Sequence, residues 1–215
     1  MKSACRIIFI ALVSLLLLQV TVAQAPQISP FSADLQITST GERGPHDATG
    51  QVYAGKGHIR MNLEHEGHQT AMITDLATKT TDILLVEQQM YIEHKAGQLP
   101  ARGPGSGAQE LKPYDAQNPC ANQPEVTCKK IGVEEVSGRT CDHWQITDKQ
   151  NRVTDLWIDQ KLSFPVKVTT KDSMMLLTNV KEGQPEASLF EIPAGYHKLD
   201  MSGMLPPGAG GPPHN

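Results

Sequence analysis

The sequence predicts a mainly β protein, built as an antiparallel meander sheet of about eleven strands with few short helices. Three observations predict it. Apolar and polar residues alternate with period two through most of the chain, the pattern of strands with one buried face. Turn-forming residues recur about every eight to twelve positions, the spacing of a many-stranded β domain. No segment sustains the three-to-four-residue apolar period of a long helix.

Taken in order, the chain opens with Lys2 and Arg6 ahead of an apolar run from Ile7 to Val22. That run is short for a membrane span and has the make-up of a secretory signal, with cleavage expected after Ala23. Cys5 precedes the apolar run and so cannot carry a lipid on the mature chain. No later stretch is apolar enough to cross a bilayer as a helix, and residues 24–200 are expected to form one β domain. "ADLQITST" sets Leu35 and Ile37 on one face, and "TGQVYAG" and "GHIRMNLE" follow, the latter aligning Ile59, Met61 and Leu63. A hairpin at "EHEGHQ" leads to "TAMITD", "TDILLVE" and "QMYIEH". Residues 95–128, with their "AGQLPARGPGSGAQ" stretch, read as a flexible insertion that ends in a disulfide loop. Its "GPGSG" lacks the symmetric glycines of a nucleophile elbow. The second run of strands is "KKIGVEEV", "TCDHWQIT", "VTDLWID", "FPVKVTT" and "MMLLTNV". Short helices are expected near Glu110–Tyr114 or after Asp159. Residues 201–215, "MSGMLPPGAGGPPHN", read as a disordered Gly/Pro-rich tail.

Charge narrows the partners. Removing residues 1–23 deletes two of 19 basic residues and none of 23 acidic ones, leaving 17 against 23 and a net charge of −6. An acidic chain without a Lys/Arg cluster argues against nucleic acid and against an anionic membrane surface.

Turn chemistry then fixes a register, because a one-residue slip turns every side chain to the other face. A two-residue loop at Ser137-Gly138 sets Val136 opposite Arg139, Val133 opposite Asp142 and Ile131 opposite Trp144. A loop from Asp148 to Arg152 sets Trp144 opposite Leu156. A loop from Asp159 to Ser163 sets Leu156 opposite Val166 and Ile158 opposite Phe164. One face therefore collects Ile131, Val133, Trp144, Ile146, Leu156, Ile158, Phe164, Val166 and Val168. The other collects Cys141, His143, Gln145, Asp155, Trp157 and Lys167.

The mature chain keeps Cys120, Cys128 and Cys141. The same register sets Cys128 opposite Thr147 and Cys141 opposite Glu134, so the two sulfurs lie about 20 Å apart along the strand. A disulfide needs Cα atoms within about 7 Å. Cys120 sits in the loop "NPCANQPEVTC", which can fold back, and a Cys120–Cys128 bridge is expected, with Cys141 left over. A metal site from the three sulfurs and His143 would need the convergence that the register forbids. "HEGH" (65–68) has its histidines three apart around a turn glycine, not four apart on a helix, so it is no metalloprotease motif. His58, His65 and His68, with Asp75 as a further ligand, could still catch a surface copper or zinc ion. His143, Asp155 and Trp157 share a face, but no activated nucleophile or oxyanion donor accompanies them, and no catalytic residue is assigned. Met61, Met72, Met90, Met174 and Met175 lie in strands beside aliphatic or aromatic neighbours, where thioethers suit either a core or an adaptable apolar lining.

"GQVYAGKGHIRMNLEHEGHQTAMITD", then "QQMYIEH", and near the end "WIDQKLSFPVKVTT" and "SLFEIPAGYHKLD" resemble the LolA/LolB-like superfamily of envelope proteins. In its closing pattern a Pro-Val-Lys strand precedes a Phe-x-x-Pro-x-Gly unit. The resemblance spans roughly residues 31–200 without the insertion. It implies a strongly curved, half-open barrel capped by helices, and carriage of acyl chains or lipoproteins across the periplasm. Where the carriers have Arg-Pro before the third strand, this chain has Lys56-Gly57.

The reading that follows is a non-enzymatic periplasmic or secreted binding protein without a cofactor. It would hold a lipophilic small molecule or lipidated protein against Met61, Leu63, Met72, Met90, Trp144, Ile146, Leu156, Ile158 and Val166. The alternatives are a copper- or zinc-binding envelope protein using the histidines, and an envelope scaffold that docks through a sheet edge or Cys141.

Overall fold

A computed structural model describes residues 28–40, 46–95, 118–121, 123 and 125–199. The signal segment, the expected helix at 110–114 and the Gly/Pro tail lie outside the described residues. The remainder is one curved, open sheet of twelve strands. The strands are β1 (Phe31–Ser39), β2 (His46–Gly55), β3 (His58–His65), β4 (His68–Asp75), β5 (Thr80–Leu85) and β6 (Met90–Lys95). After the insertion come β7 (Val126–Val136), β8 (Arg139–Asp148), β9 (Val153–Asp159), β10 (Phe164–Thr169), β11 (Ser173–Glu182) and β12 (His197–Lys198). No α-helix occurs among the described residues, and a 3-10 turn spans Ala187–Phe190. The segment after Asp159, expected to hold a short helix, is a four-residue turn instead. No described helix is long and apolar enough to cross a membrane.

Spatial order runs β12-β6-β5-β4-β3-β2-β1-β11-β10-β9-β8-β7. Two meanders, β1–β6 and β7–β11, are thus welded by the pairing of β1 with β11. Tight hairpins make each meander. At Lys56-Gly57, Glu66-Gly67 and Ser137-Gly138 both central residues have positive φ, the conformation whose twist matches that of flanking strands and in which glycine is unstrained. Gly50 answers a different need. A Cβ there would collide with the Asn62 carbonyl across the β2–β3 pair, so the close approach of these strands requires glycine.

The main core gathers Phe31, Leu35, Val52, Met61, Trp157, Phe164 and their neighbours, and Phe31 and Phe164 pack with ring centroids 5.1 Å apart. A second cluster joins Trp144, Leu156, Ile158 and Val168.

The register bears out Val136–Arg139, Val133–Asp142, Glu134–Cys141 and Trp144–Leu156, and two bulges and a shorter turn correct the rest. Ile131 is an extra residue between Lys130 and Gly132, so Lys130, not Ile131, faces Trp144, and Cys128 faces Ile146 instead of Thr147. Ile131 and Val133, assigned to the apolar face, are 44% and 56% exposed on the edge strand. Asp159 itself pairs with Phe164 across a four-residue turn, so Ile158 faces Pro165, and Val166 is then extra between Pro165 and Lys167, so Leu156 faces Val168. Phe164 and Val166 consequently join the main core with Trp157 and Cys141, away from the cluster of Leu156 and Ile158. The face read as polar therefore gives Cys141 and Trp157 to the core.

Candidate functional site

The most continuous feature of the β1–β6 meander is a row of apolar side chains. Cross-strand register sets Ala33, Val52, Met61, Met72, Ile83 and Ile92 side by side on six adjacent strands. A second row sets Leu35, Gly50, Leu63, Thr70, Leu85 and Met90 beside it. Both rows follow from alternation: each residue is separated by one position from its polar neighbours, so all share one face. Val52, Met61 and Ile83 are buried, whereas Met72, Leu63, Leu85, Met90 and Ile92 stay partly exposed. Ile37 and Met175 face each other across the weld and also stay half-buried. No helix covers these rows among the described residues.

The residues proposed from sequence to line a ligand site divide into two groups. Met61, Leu63, Met72 and Met90 lie on the two rows just described, with Met61, Leu63 and Met72 in or against the main core. Trp144, Ile146, Leu156 and Ile158 belong to the separate cluster of the second meander. Val166, in the main core, and Ile158 are fully buried, and Leu156 is almost as enclosed. Their neighbours already fill the space around them. Sequence alternation missed Leu85 and Ile92, whose signal, a place in the β4–β5–β6 register, was available.

A strap crosses the opposite face. After β11 the chain passes Gln184, whose side chain lies against Gly55. The 3-10 turn then sits beside β3, where the Arg60 guanidinium donates to the Leu189 carbonyl at 2.8 Å and to Asn62 Oδ1 at 2.7 Å. Phe190 packs near the His58 ring, with centroids 5.7 Å apart. Tyr196 covers a small cluster of Ala71, Ile73, Leu84 and Tyr91. β12 finally pairs in parallel with β6, the one parallel contact in the described sheet. Burial lowers the Arg60 pKa from its ordinary value, opposed by Tyr196 and Tyr53. This strap is the segment that carries the Phe-x-x-Pro-x-Gly unit.

In the second meander a polar network surrounds Trp157. Its indole donates to Glu134 Oε2 at 2.7 Å, its ring stacks on His143 at 4.1 Å, and Lys167 Nζ sits 4.2 Å from the ring centre. His143 bridges Glu134 Oε1 at 2.7 Å and Asp155 Oδ1 at 3.1 Å. The hydrogen bonds from Trp157 and then His143 hold the Glu134 carboxyl below its ordinary range. The expected proximity of His143, Asp155 and Trp157 is present, and with Glu134 and Lys167 the network ties four strands together, β7 to β10.

Cys120 and Cys128 form the expected disulfide, with Cα atoms 6.0 Å apart, and Cys141 is a buried free thiol. Burial, then the nearby Asp159, push the Cys141 pKa up to about 12, which leaves it an unreactive thiol at neutral pH. The histidines do not assemble. His58 pairs with Asp75 at one end of β3, while His65 faces His68 at the other, seven residues or about 23 Å away. Among the described residues no three His, Cys, Asp or Glu groups are placed to hold a metal ion.

Several solved structures are similar to this chain. An uncharacterized conserved protein from Thermus thermophilus matches with a TM-score of 0.53 at 11% identity, over 81% of this chain and 91% of that one. MucB, in its Pseudomonas aeruginosa complex with MucA, matches with a TM-score of 0.47 at 14% identity, over 76% of this chain and 55% of that one. A Vibrio parahaemolyticus domain assigned by description to outer membrane lipoprotein sorting matches at 0.34 and 10% identity, over 75% and 89% of the two chains. The likeness to the Thermus protein concerns fold alone, and the curved antiparallel sheet expected from the sequence is the architecture found. The chain spans little more than half of MucB. No curated protein matches the sequence. The profile of a family described as "Domain of unknown function (DUF4412)" matches residues 31–163, from the start of β1 to the turn before β10, and the chain belongs to that family.

Proposed function

We propose that the protein is an exported, non-enzymatic binding module of the cell envelope that holds a lipophilic small molecule or a lipidated protein against its apolar sheet face. The observation that carries this reading is the double row on β1–β6, where Leu63, Met72, Leu85, Met90 and Ile92 remain partly exposed at the border of a fully packed core. Methionine at two of these positions suits acyl chains of variable shape, because thioether side chains repack at little cost. An acyl chain that buries about 200 Å² there would gain about 5 kcal/mol before ordering costs. The contact region is therefore Met61, Leu63, Met72 and Met90. The cluster of Trp144, Ile146, Leu156 and Ile158, with Val166 in the main core, serves as its scaffold.

Native mass spectrometry and solvent extraction of protein purified from the envelope test this. The expected result is a co-purifying lipid and saturable uptake of a fluorescent fatty acid, reduced about tenfold or more by Met72→Asp. Consistently empty protein that takes up no probe would sink the reading. The mass of the mature chain checks the export step, with Gln24 expected as its first residue.

A further inference from the structure

Over β1–β4 lies a half-open cleft of about 530 Å³, lined by the polar side chains that alternate with the apolar rows and, between them, by Leu35, Gly50, Leu63 and Thr70 of the second row, a size typical of small-molecule sites. Register lays its walls out as a lattice. Asp34, Gln51 and Asn62 stand side by side on β1, β2 and β3, and Gln36, Thr49, Glu64 and Gln69 form the next row. Neighbours in a row are about 4.8 Å apart.

The hydrogen-bonding state of these side chains is specific. Tyr53 donates to Gln51 Oε1 at 2.6 Å and Arg60 donates to Asn62 Oδ1 at 2.7 Å. With both oxygens engaged, the amide NH2 groups of Gln51 and Asn62 are left as donors. Asp34 accepts from Asn179 through Oδ2 at 2.8 Å and keeps Oδ1 as an acceptor. The side chains of Gln36, Glu64 and Gln69 have no partner among the described residues. Tyr196, delivered by the strap, closes one end of the cleft. Donors and acceptors thus alternate over a surface one to two sugar rings wide, beside an aromatic ring able to take an apolar C–H face.

The chemistry excludes simpler ligands. An anion would find Arg60 already donating to Leu189 and Asn62, with Asp34 and Glu64 carboxylates lining the same space. An acyl chain would leave the amides unpaired, which costs more than its burial returns. We propose that this cleft binds a neutral oligosaccharide, a function independent of the apolar face.

Side-chain amide NMR of the full exported chain tests it, with N,N′,N″-triacetylchitotriose and maltotriose as probes and inorganic phosphate as the control. The expected result is saturable shifts of the Gln51 and Asn62 NH2 signals with at least one sugar. Gln51→Ala/Asn62→Ala should weaken that binding by about tenfold or more. Gln69→Ala, on an exposed position of β4, should weaken it less while leaving the fold untouched. Far-UV circular dichroism and fatty-acid uptake of the variants report on folding and on the apolar face separately. Absence of shifts with both sugars at millimolar concentration overturns the proposal. So does sugar binding that survives the substitutions in folded protein, or a response at Arg60 to phosphate without one to sugar.

Discussion

Asp159 closes a hairpin and neutralises a cation at once. Its Oδ1 accepts the Lys161 and Leu162 backbone N–H groups at 2.8 and 2.7 Å, while Oδ2 accepts from Arg139 Nε. Arg139 also donates to Glu182 at 3.0 Å, so one guanidinium joins β8, β9 and β11. These carboxylates raise the Arg139 pKa. Asp159 is nearly inaccessible to water, and an uncompensated arginine beside it would be costly. Asp159→Asn, which can keep the turn bonds but not the charge, should lower stability by about 2 kcal/mol. A urea midpoint that falls with unchanged slope checks this. Asp82 presents the opposite situation. It faces Glu93 across the β5–β6 pair, and its Oδ1 is buried without a hydrogen-bond partner. Burial first, and Glu93 second, raise its pKa, against Lys198. A carboxyl whose folded pKa lies above its unfolded value favours folding at acid pH and loses that contribution as pH rises through the folded pKa. Asp82→Asn should therefore raise stability at pH 7 by about 0.5 kcal/mol, the scale of like charges directly opposite in a sheet. The gain should vanish at about pH 3, where the native side chain is already protonated in both states. An equal gain at both pH values would refute the electrostatic account.

At the level of elements, hairpins were legible and bulges were not. Ser137-Gly138 and Glu66-Gly67 announce their turns because few residues tolerate positive φ, and each turn then fixes the pairs nearest to it. Alternation cannot reveal an extra residue, so the register derived beyond Ile131 slipped by one, and the bulge at Val166 added a second step to the one already lost at the Asp159 turn. The slip matters most at Phe164 and Val166, which pass to the core with Trp157. The bulge at Ile131 has its own logic: β7 is an edge strand, and a bulge with Lys129 and Lys130 beside exposed Ile131 and Val133 makes that edge a poor template for foreign strands. The strap was legible as a motif but not as a path, because its anchors are single long-range bonds. Arg60 supplies the central one, to Leu189. Arg60→Ala should leave the meanders intact and speed amide exchange at Leu189, Tyr196 and Leu199 about tenfold, the effect of losing about 1.4 kcal/mol of local protection. If exchange rises equally in β8 and β9, the strap is not a separate unit.

For the whole molecule the decisive contact is the weld between β1 and β11. Leu35 faces Leu177 across it, and both are buried in the main core. The paired residues are more than 130 positions apart in sequence, beyond the reach of turn chemistry or periodicity. That is why a meander could be read from the sequence while its closure into one twelve-stranded sheet could not. Every pairing inside β1–β6 or β7–β11 is local and can form early. The weld must wait for the loop between the meanders to close, and loop entropy is lost before the contact returns anything. Leu177→Ala removes a fully buried side chain at this joint and should cost about 3 kcal/mol. Because the contact forms late, the loss should fall mainly on the unfolding rate, with a φ-value near zero, whereas Ile73→Val within the first meander should show a larger one. Stopped-flow chevrons in urea measure both. A high φ-value at Leu177 would mean that the two meanders dock before they are individually formed, and the sheet would then have to be treated as one folding unit built outward from its centre.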